Sequence, residues 1–225
     1  MSKNDIIEQL RKVNMSRFIE KVKEKIDGDV FTDAGLTNAL GGTANSRNSA
    51  VRRAVKAGDI IRLKRGLYVL GAKHQRKGVS PFQAAPMIYG PSYVSLESAL
   101  SYHGWIPEAV HAVTSVSTKR SKEVKTPLGI FSYARIPSHK FFSGVSRIES
   151  ENGVFLMATP WRALVDYVYV HKEDWKGLRP VVESLRVDTA HFKGVDFRSL
   201  EELREATRSK RVKVFIDRIK KELVA

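Results

Sequence analysis

From Thr43 to Gly66 the 225-residue chain sets seven cations, Arg47, Arg52, Arg53, Lys56, Arg62, Lys64 and Arg65, against one acid, Asp59. Asn45, Ser46, Asn48 and Ser49 stand among them. Arginine can grip guanine through two parallel hydrogen bonds and asparagine can do the same for adenine, each pair worth about 1–3 kcal/mol of discrimination. Phosphate oxygens are bound by the same cations, which fixes register on a duplex without reading its sequence. The chemistry this set can do is recognition of double-stranded nucleic acid.

The flanking residues specify the elements that must hold it. Thr32 is placed to cap a short helix over Asp33–Leu40, with Leu36 and Leu40 inward. Gly41-Gly42 supplies the tight turn, because glycine tolerates positive φ without steric cost. Thr43 caps a second helix over Ala44–Ala57, ended by Gly58. Ile60–Leu63 and Leu67–Leu70 form two short strands joined across Lys64-Arg65-Gly66. Helix, glycine turn, helix and basic hairpin predict a winged helix-turn-helix. At about 100° per residue, Ala44, Val51, Ala54 and Val55 fall on the core side of the second helix. Asn45, Ser49, Arg52, Arg53 and Lys56 fall on the opposite face with Ser46 beside them, and Arg47 and Asn48 flank its amino end. The expected DNA contacts are these eight residues with Thr43 and the hairpin cations Arg62, Lys64 and Arg65. Lys56 and the hairpin suit phosphates. A solvated basic face in a protein-interaction module, or an RNA-binding winged helix, is the competing reading.

The whole chain is basic, 39 Lys and Arg against 24 Asp and Glu, a net +15 that draws polyanions. With no cysteine, disulfides, thiolate zinc sites and thiol catalysis are excluded. The polar start, Met1 to Glu8, and the lack of a long apolar run lead us to expect a cytoplasmic protein without membrane contact.

The sequence as a whole reads as α+β, a winged helix-turn-helix followed by a larger mixed α/β domain. The expected boundaries are residues 1–76, including an amphipathic helix over 4–27 broken near Asn14–Ser16, and residues 80–225. Ile6, Ile7, Leu10, Val13, Phe18, Ile19, Val22 and Ile26 give that helix its apolar spacing, and Gly71–Ser80 reads as a linker. Beyond Pro81, Ser95 is placed to cap a helix through Tyr102. Strands are expected at Ala112–Ser117, Phe131–Ile136 and Val154–Met157, a helix after Thr159-Pro160, and a last helix over about 209–223.

No catalytic constellation shows in this half. His103, His111, His139, His171 and His191 have no ligand spacing, Ser95 and Ser98 beside His103 make a weak nucleophile case, and Asp166 suggests a polar bond at its helix's edge. No enzyme activity, metal or cofactor is expected. Lys119, Arg120, Lys122 and Lys125 read as a solvated loop between strands. Arg204–Lys221 carries eight cations against Glu205 and Asp217. With Val212, Phe215, Ile219 and Leu223 inward, Lys210, Arg211, Lys213, Arg218 and Lys221 form either a solvated face or a second polyanion face.

Three segments, AGDIIRLKRGLYVL (57–70), PSYVSLESALSYHG (91–104) and MATPWRALVDYVY (157–169), resemble the AbiEi family of antitoxins, the regulator half of type IV toxin–antitoxin pairs. The resemblance covers much of residues 30–170, and the chain after about residue 170 carries none of it. It implies a repressor that binds inverted repeats at its own promoter; because a lone wing reads only a few bases, useful affinity suggests two copies on such a repeat or a second basic surface. It also implies a functional partner, a nucleotidyltransferase-type toxin counteracted without a stable complex, with the second domain needed for neutralisation. A ligand-sensing winged-helix repressor and a DNA-guided enzyme acting on nucleic acid are the alternatives.

Overall fold

In the computed structural model, which describes residues 3–108, 110–136 and 140–224, the chain divides into two compact units. Apart from two short turns, one is formed by residues up to Ser80 and the other by those from Pro81 onward.

The first unit runs α1 (Lys3–Lys25), β1 (Val30–Thr32), α2 (Asp33–Leu40), α3 (Ala44–Lys56), β2 (Ile60–Lys64) and β3 (Leu67–Leu70). Its strands form an antiparallel sheet in the order β1-β3-β2, with Phe31 opposite Tyr68 and Ile61 opposite Val69. Strand β1, which sequence spacing did not suggest, makes β3 the centre of the sheet. All four β3 side chains are buried accordingly. Phe18, Ile19 and Val22 of α1 pack with Leu36, Val51 and Ala54 over Phe31, Ile60 and Tyr68. Each such large apolar side chain, taken fully from water, contributes about 1.5–3 kcal/mol.

Two expectations fail here. Helix α1 continues unbroken through Asn14–Ser16, because the Ser16 hydroxyl donates 2.8 Å to Glu20 one turn on, a local bond a helix accommodates. Val13 is half exposed. The side chains of Ile6, Ile7 and Leu10, like His139, lie outside the described residues. The segment from Gly71 is tied down rather than free. Asp59, buried, takes Lys73 Nζ at 2.7 Å and shares a 2.8 Å bond with His74 Nε2. Gln75 donates to the Leu70 carbonyl at 2.7 Å. The Arg76 amide donates to Asp29 at 2.9 Å, and its guanidinium donates to the Lys23 and Ile26 carbonyls. Gly71 is required at the start of this strap, since a Cβ there would stand 2.1 Å from the Gly58 carbonyl oxygen.

Among the described residues the second unit holds α4 (Pro81–Ile88), β4 (Ser92–Val94), α5 (Leu96–Tyr102), β5 (Ala112–Ser117), β6 (Lys122–Thr126), β7 (Gly129–Arg135), β8 (Val145–Ser150) and β9 (Gly153–Ala158). Four helices follow: α6 (Pro160–Val170), α7 (Arg179–Leu185), α8 (Phe197–Ala206) and α9 (Lys210–Val224). The sheet is mixed, in the order β6-β7-β5-β4-β9-β8, with β4 antiparallel to β5 and parallel to β9, and β5 parallel to β7. The chain is therefore mixed α/β with two sheets.

Asp166 corrects its expected place. It is buried in the centre of this unit, 2.9 Å from Arg162 Nε, and accepts 2.8 Å bonds from the Tyr93 and Ser95 hydroxyls. Burial raises its carboxyl above the usual range against the pull of Arg162, Ser95 and Tyr93. Ser95 begins α5 but its hydroxyl faces Asp166, so it makes no side-chain cap. Ser98 bonds the Ala112 carbonyl and the Thr114 amide, and His103 bonds the Ala158 carbonyl. Each candidate for nucleophilic chemistry is thus engaged structurally. Lys122 and Lys125 lie in strand β6 rather than in a loop. Among the described residues no helix is long and apolar enough to cross a membrane, and no His, Asp and Glu cluster could hold a metal ion.

Candidate nucleic-acid interface

Thr32 and Thr43 begin the two short helices as capping residues. Their hydroxyls accept 3.2 Å bonds from the Gly35 and Ser46 amides. Between them Gly41 and Gly42 take φ of 63° and 72°, backbone that glycine adopts without Cβ strain. Arg47 closes the turn, donating through Nη1 to the Gly41 carbonyl at 3.1 Å and the Gly42 carbonyl at 2.5 Å. Its guanidinium is half-buried and held by the turn, so it fixes how α3 leaves α2.

Helix α3 packs through Ala50, Val51 and Ala54. That phase differs from the expected one, because Val55 is 38 % exposed and Ala44 is also exposed. The alternation of alanine and valine along this helix fits more than one inward stripe, and contacts with α1 and the sheet select the one used. Opposite the packed side, Asn45, Ser49, Arg52 and Lys56 recur at intervals of four, three and four and share one exposed stripe. Ser46 and Arg53 border it on one side, Asn48 and Val55 on the other, all exposed. Val55 and Ala44 were missed as surface groups, and a methyl beside guanidinium and amide donors suits contact with a thymine methyl. No acid stands in the first turn of α3, so the helix dipole adds to the positive field.

The β2–β3 hairpin presents the remaining cations. Its register shifts between Arg62 and Lys64, a bulge of the kind that re-aims side chains. There the Arg62 Nε donates 3.4 Å to the Lys64 carbonyl. Arg62, Lys64 and Arg65 are all exposed. The turn of the hairpin is tied to the start of α2 by the Asp33 amide, which donates 3.1 Å to the Gly66 carbonyl. Tyr68 beneath it has its hydroxyl pushed up by burial and by the neighbouring Asp33.

Asp59, the one carboxylate between Thr43 and Gly66, faces inward to Lys73 and His74. Burial pushes its carboxyl up, and hydrogen bonds and charge from those two residues outweigh that and lower it. Its charge is balanced inside the unit, away from the exposed stripe.

The carboxy-terminal set is more dispersed. Lys210, Arg218 and Lys221 are exposed on α9, whereas Lys213 is half-buried and Arg211 donates 3.2 Å to the Tyr169 carbonyl. The buried face of α9 uses Val212, Phe215, Ile216 and Ile219, with Leu223 only half-buried.

Residues 25–71 match the family model described as transcriptional regulator, AbiEi antitoxin. The match takes in β1, α2, α3, β2 and β3 and ends at Gly71, so it covers the elements that carry the exposed stripe and the hairpin. No curated protein matches the chain.

Proposed function

We propose that the first unit is a winged helix-turn-helix and that the protein is a DNA-binding transcriptional regulator. Helix α3 enters the major groove, with Arg52, Asn45, Asn48 and Ser49 at base edges and Val55 available to a thymine methyl. Lys56, Arg53 and the wing cations Arg62, Lys64 and Arg65 grip phosphates. Arg47 and Thr43 act by shaping the turn. The observation that carries this reading is the continuous exposed stripe of amide, hydroxyl and guanidinium groups on α3, with Asp59, the one acid between Thr43 and Gly66, turned into the core. A protein-docking helix has no use for that set.

The family match supports a regulator that is also an antitoxin. In that reading the protein represses its own operon as two copies on inverted repeats and counteracts a nucleotidyltransferase-type toxin without a stable complex. Footprinting of the region upstream of its own gene tests the regulator. Two protected half-sites in inverted orientation are expected, and uniform, sequence-independent protection would contradict autoregulation. Co-expression with a neighbouring nucleotidyltransferase tests the antitoxin role, and growth arrest without rescue would contradict it.

A further inference from the structure

The second unit contains a cavity of about 590 Å³ that none of the roles above uses. One wall is apolar, made by Ile136, Val165, Leu203 and Ala206. The short link between α8 and α9, Thr207-Arg208-Ser209, lines it as well, with Arg208 exposed. The floor is the buried Arg162–Asp166 pair, held by Tyr93, Ser95 and the Ser143 carbonyl. Across Tyr169 lies a second cavity of about 300 Å³, which carries Arg135, Lys172 and Arg211.

Charge and donors in this pair of cavities are one-sided. Among the described residues Asp166 is the only acid lining either, and Arg162 balances it. What is left is Arg208 on one side of Tyr169 and three cations on the other. Thr207 and Ser209 each accept a backbone amide, at 3.2 and 3.4 Å, so their hydroxyl hydrogens remain to donate outward. Arg211 donates from one Nη to the Tyr169 carbonyl, while its Nε is a buried donor with no acceptor. Guanidinium groups and hydroxyl donors suit phosphate oxygens. The apolar side chains Ile136, Val165 and Leu203 lining the same cavity suit an unsaturated ring, and the volume is that of small-molecule sites.

We infer that the second unit binds a phosphorylated nucleoside, its phosphate at Arg208 and the Thr207 and Ser209 hydroxyls and its base against Ile136, Val165 and Leu203. The smaller cavity, with Arg135, Lys172 and Arg211, receives a further phosphate. The ligand is therefore either a free nucleotide or the 5′-phosphorylated end of an RNA. This site is independent of the DNA-binding reading, since it lies wholly in the second unit.

Calorimetric titration of the full chain with adenosine 5′-monophosphate, adenosine, inorganic phosphate and the 5′-phosphorylated dinucleotide pApA tests it. The monophosphate or pApA is expected to bind about tenfold or more tighter than adenosine or phosphate, a gap of about 1.4 kcal/mol. Whichever binds tighter identifies the source. Arg208→Glu should weaken that binding about tenfold. Lys193→Glu, the same charge change at an exposed site outside both cavities, should leave it unchanged. Arg52→Ala/Lys56→Ala, which strips the α3 stripe, should also leave it unchanged, separating this site from the DNA face. Absence of binding by both phosphorylated probes, phosphate binding as tightly as nucleotide, or equal losses in the Arg208 and Lys193 variants would overturn the inference.

Discussion

Two stretches of this chain carry the same net charge of +6, Thr43–Gly66 and Arg204–Lys221, and the fold uses them in opposite ways. In the first, the lone acid turns inward, Arg47 is held by the Gly41-Gly42 turn, and Arg52, Arg53, Lys56, Arg62, Lys64 and Arg65 are exposed. In the second, Arg204 binds Asp217 at 2.6 Å, Lys220 binds Glu201 at 2.5 Å, and Arg211 is drawn to a backbone carbonyl. Lys140 reaches Glu205 at 2.9 Å. Two of the second stretch's eight cations, Arg204 and Lys220, thus join α8 to α9. Net charge along a sequence measures attraction for polyanions only after its internal partners are subtracted, and those partners come from distant segments.

The contrast implies that the ion-paired cations Arg162, Arg204 and Lys220 hold structure while Arg52 and Lys56 of α3 hold ligand. The largest effect expected is at Asp166. Asp166→Ala strands the Arg162 guanidinium in the interior and should cost about 3–5 kcal/mol of stability in urea unfolding. An unchanged midpoint would break the structural half of the contrast. Next, Arg52→Ala should lose about 1–3 kcal/mol of affinity for the preferred site while shifting stability by less than about 0.5 kcal/mol. Thr43→Ala removes a helix cap and should cost about 1 kcal/mol of stability, read from thermal unfolding.

A pH effect follows from Asp59, whose carboxyl is lowered in the fold. Its contribution is complete above the usual value of 3.8 and is lost as pH falls through the lower folded value. Acid titration of stability should show that loss in the native chain and not in Asp59→Asn. The smallest effect is expected at Lys64. Lys64→Ala should weaken all duplexes alike and reduce the slope of log affinity against log salt by about one unit.

Local punctuation made much of the first unit legible. Thr32, the Gly41-Gly42 pair, Thr43, Gly58 and the Lys64-Arg65-Gly66 turn mark α2, α3 and the hairpin to within a residue or two. Strand β1 has only three residues, too few for a period-2 pattern, and it exists because β3 offers an edge. The phase of α3 was ambiguous because its inward residues are small, so Val55 and Ala44 were assigned to the core. The strap after Gly71 looks like a linker in composition, and only its bonds to Asp29, Asp59 and α1 reveal otherwise. In the second unit Thr159-Pro160 announced α6, with the Thr159 hydroxyl accepting from the Arg162 amide. The burial of Asp166 was illegible because Tyr93 and Ser95 lie some seventy residues before it. The exposed side of the candidate interface could be read from helical spacing. Arg47's engagement with the turn could not, since a flanking arginine has the same spacing whether it points out or folds back.

The central claim, that α3 reads base edges while the wing holds phosphates, is tested most directly by fluorescence anisotropy across a salt series. Wild type, Arg52→Ala and Lys64→Ala would each be titrated with the protein's own upstream DNA and with a scrambled duplex of equal length. The expected result is that Arg52→Ala collapses the ratio between the two duplexes, whereas Lys64→Ala preserves the ratio and flattens the salt slope. Equal binding of both duplexes by the wild-type protein, or an Arg52→Ala ratio matching wild type, would contradict it.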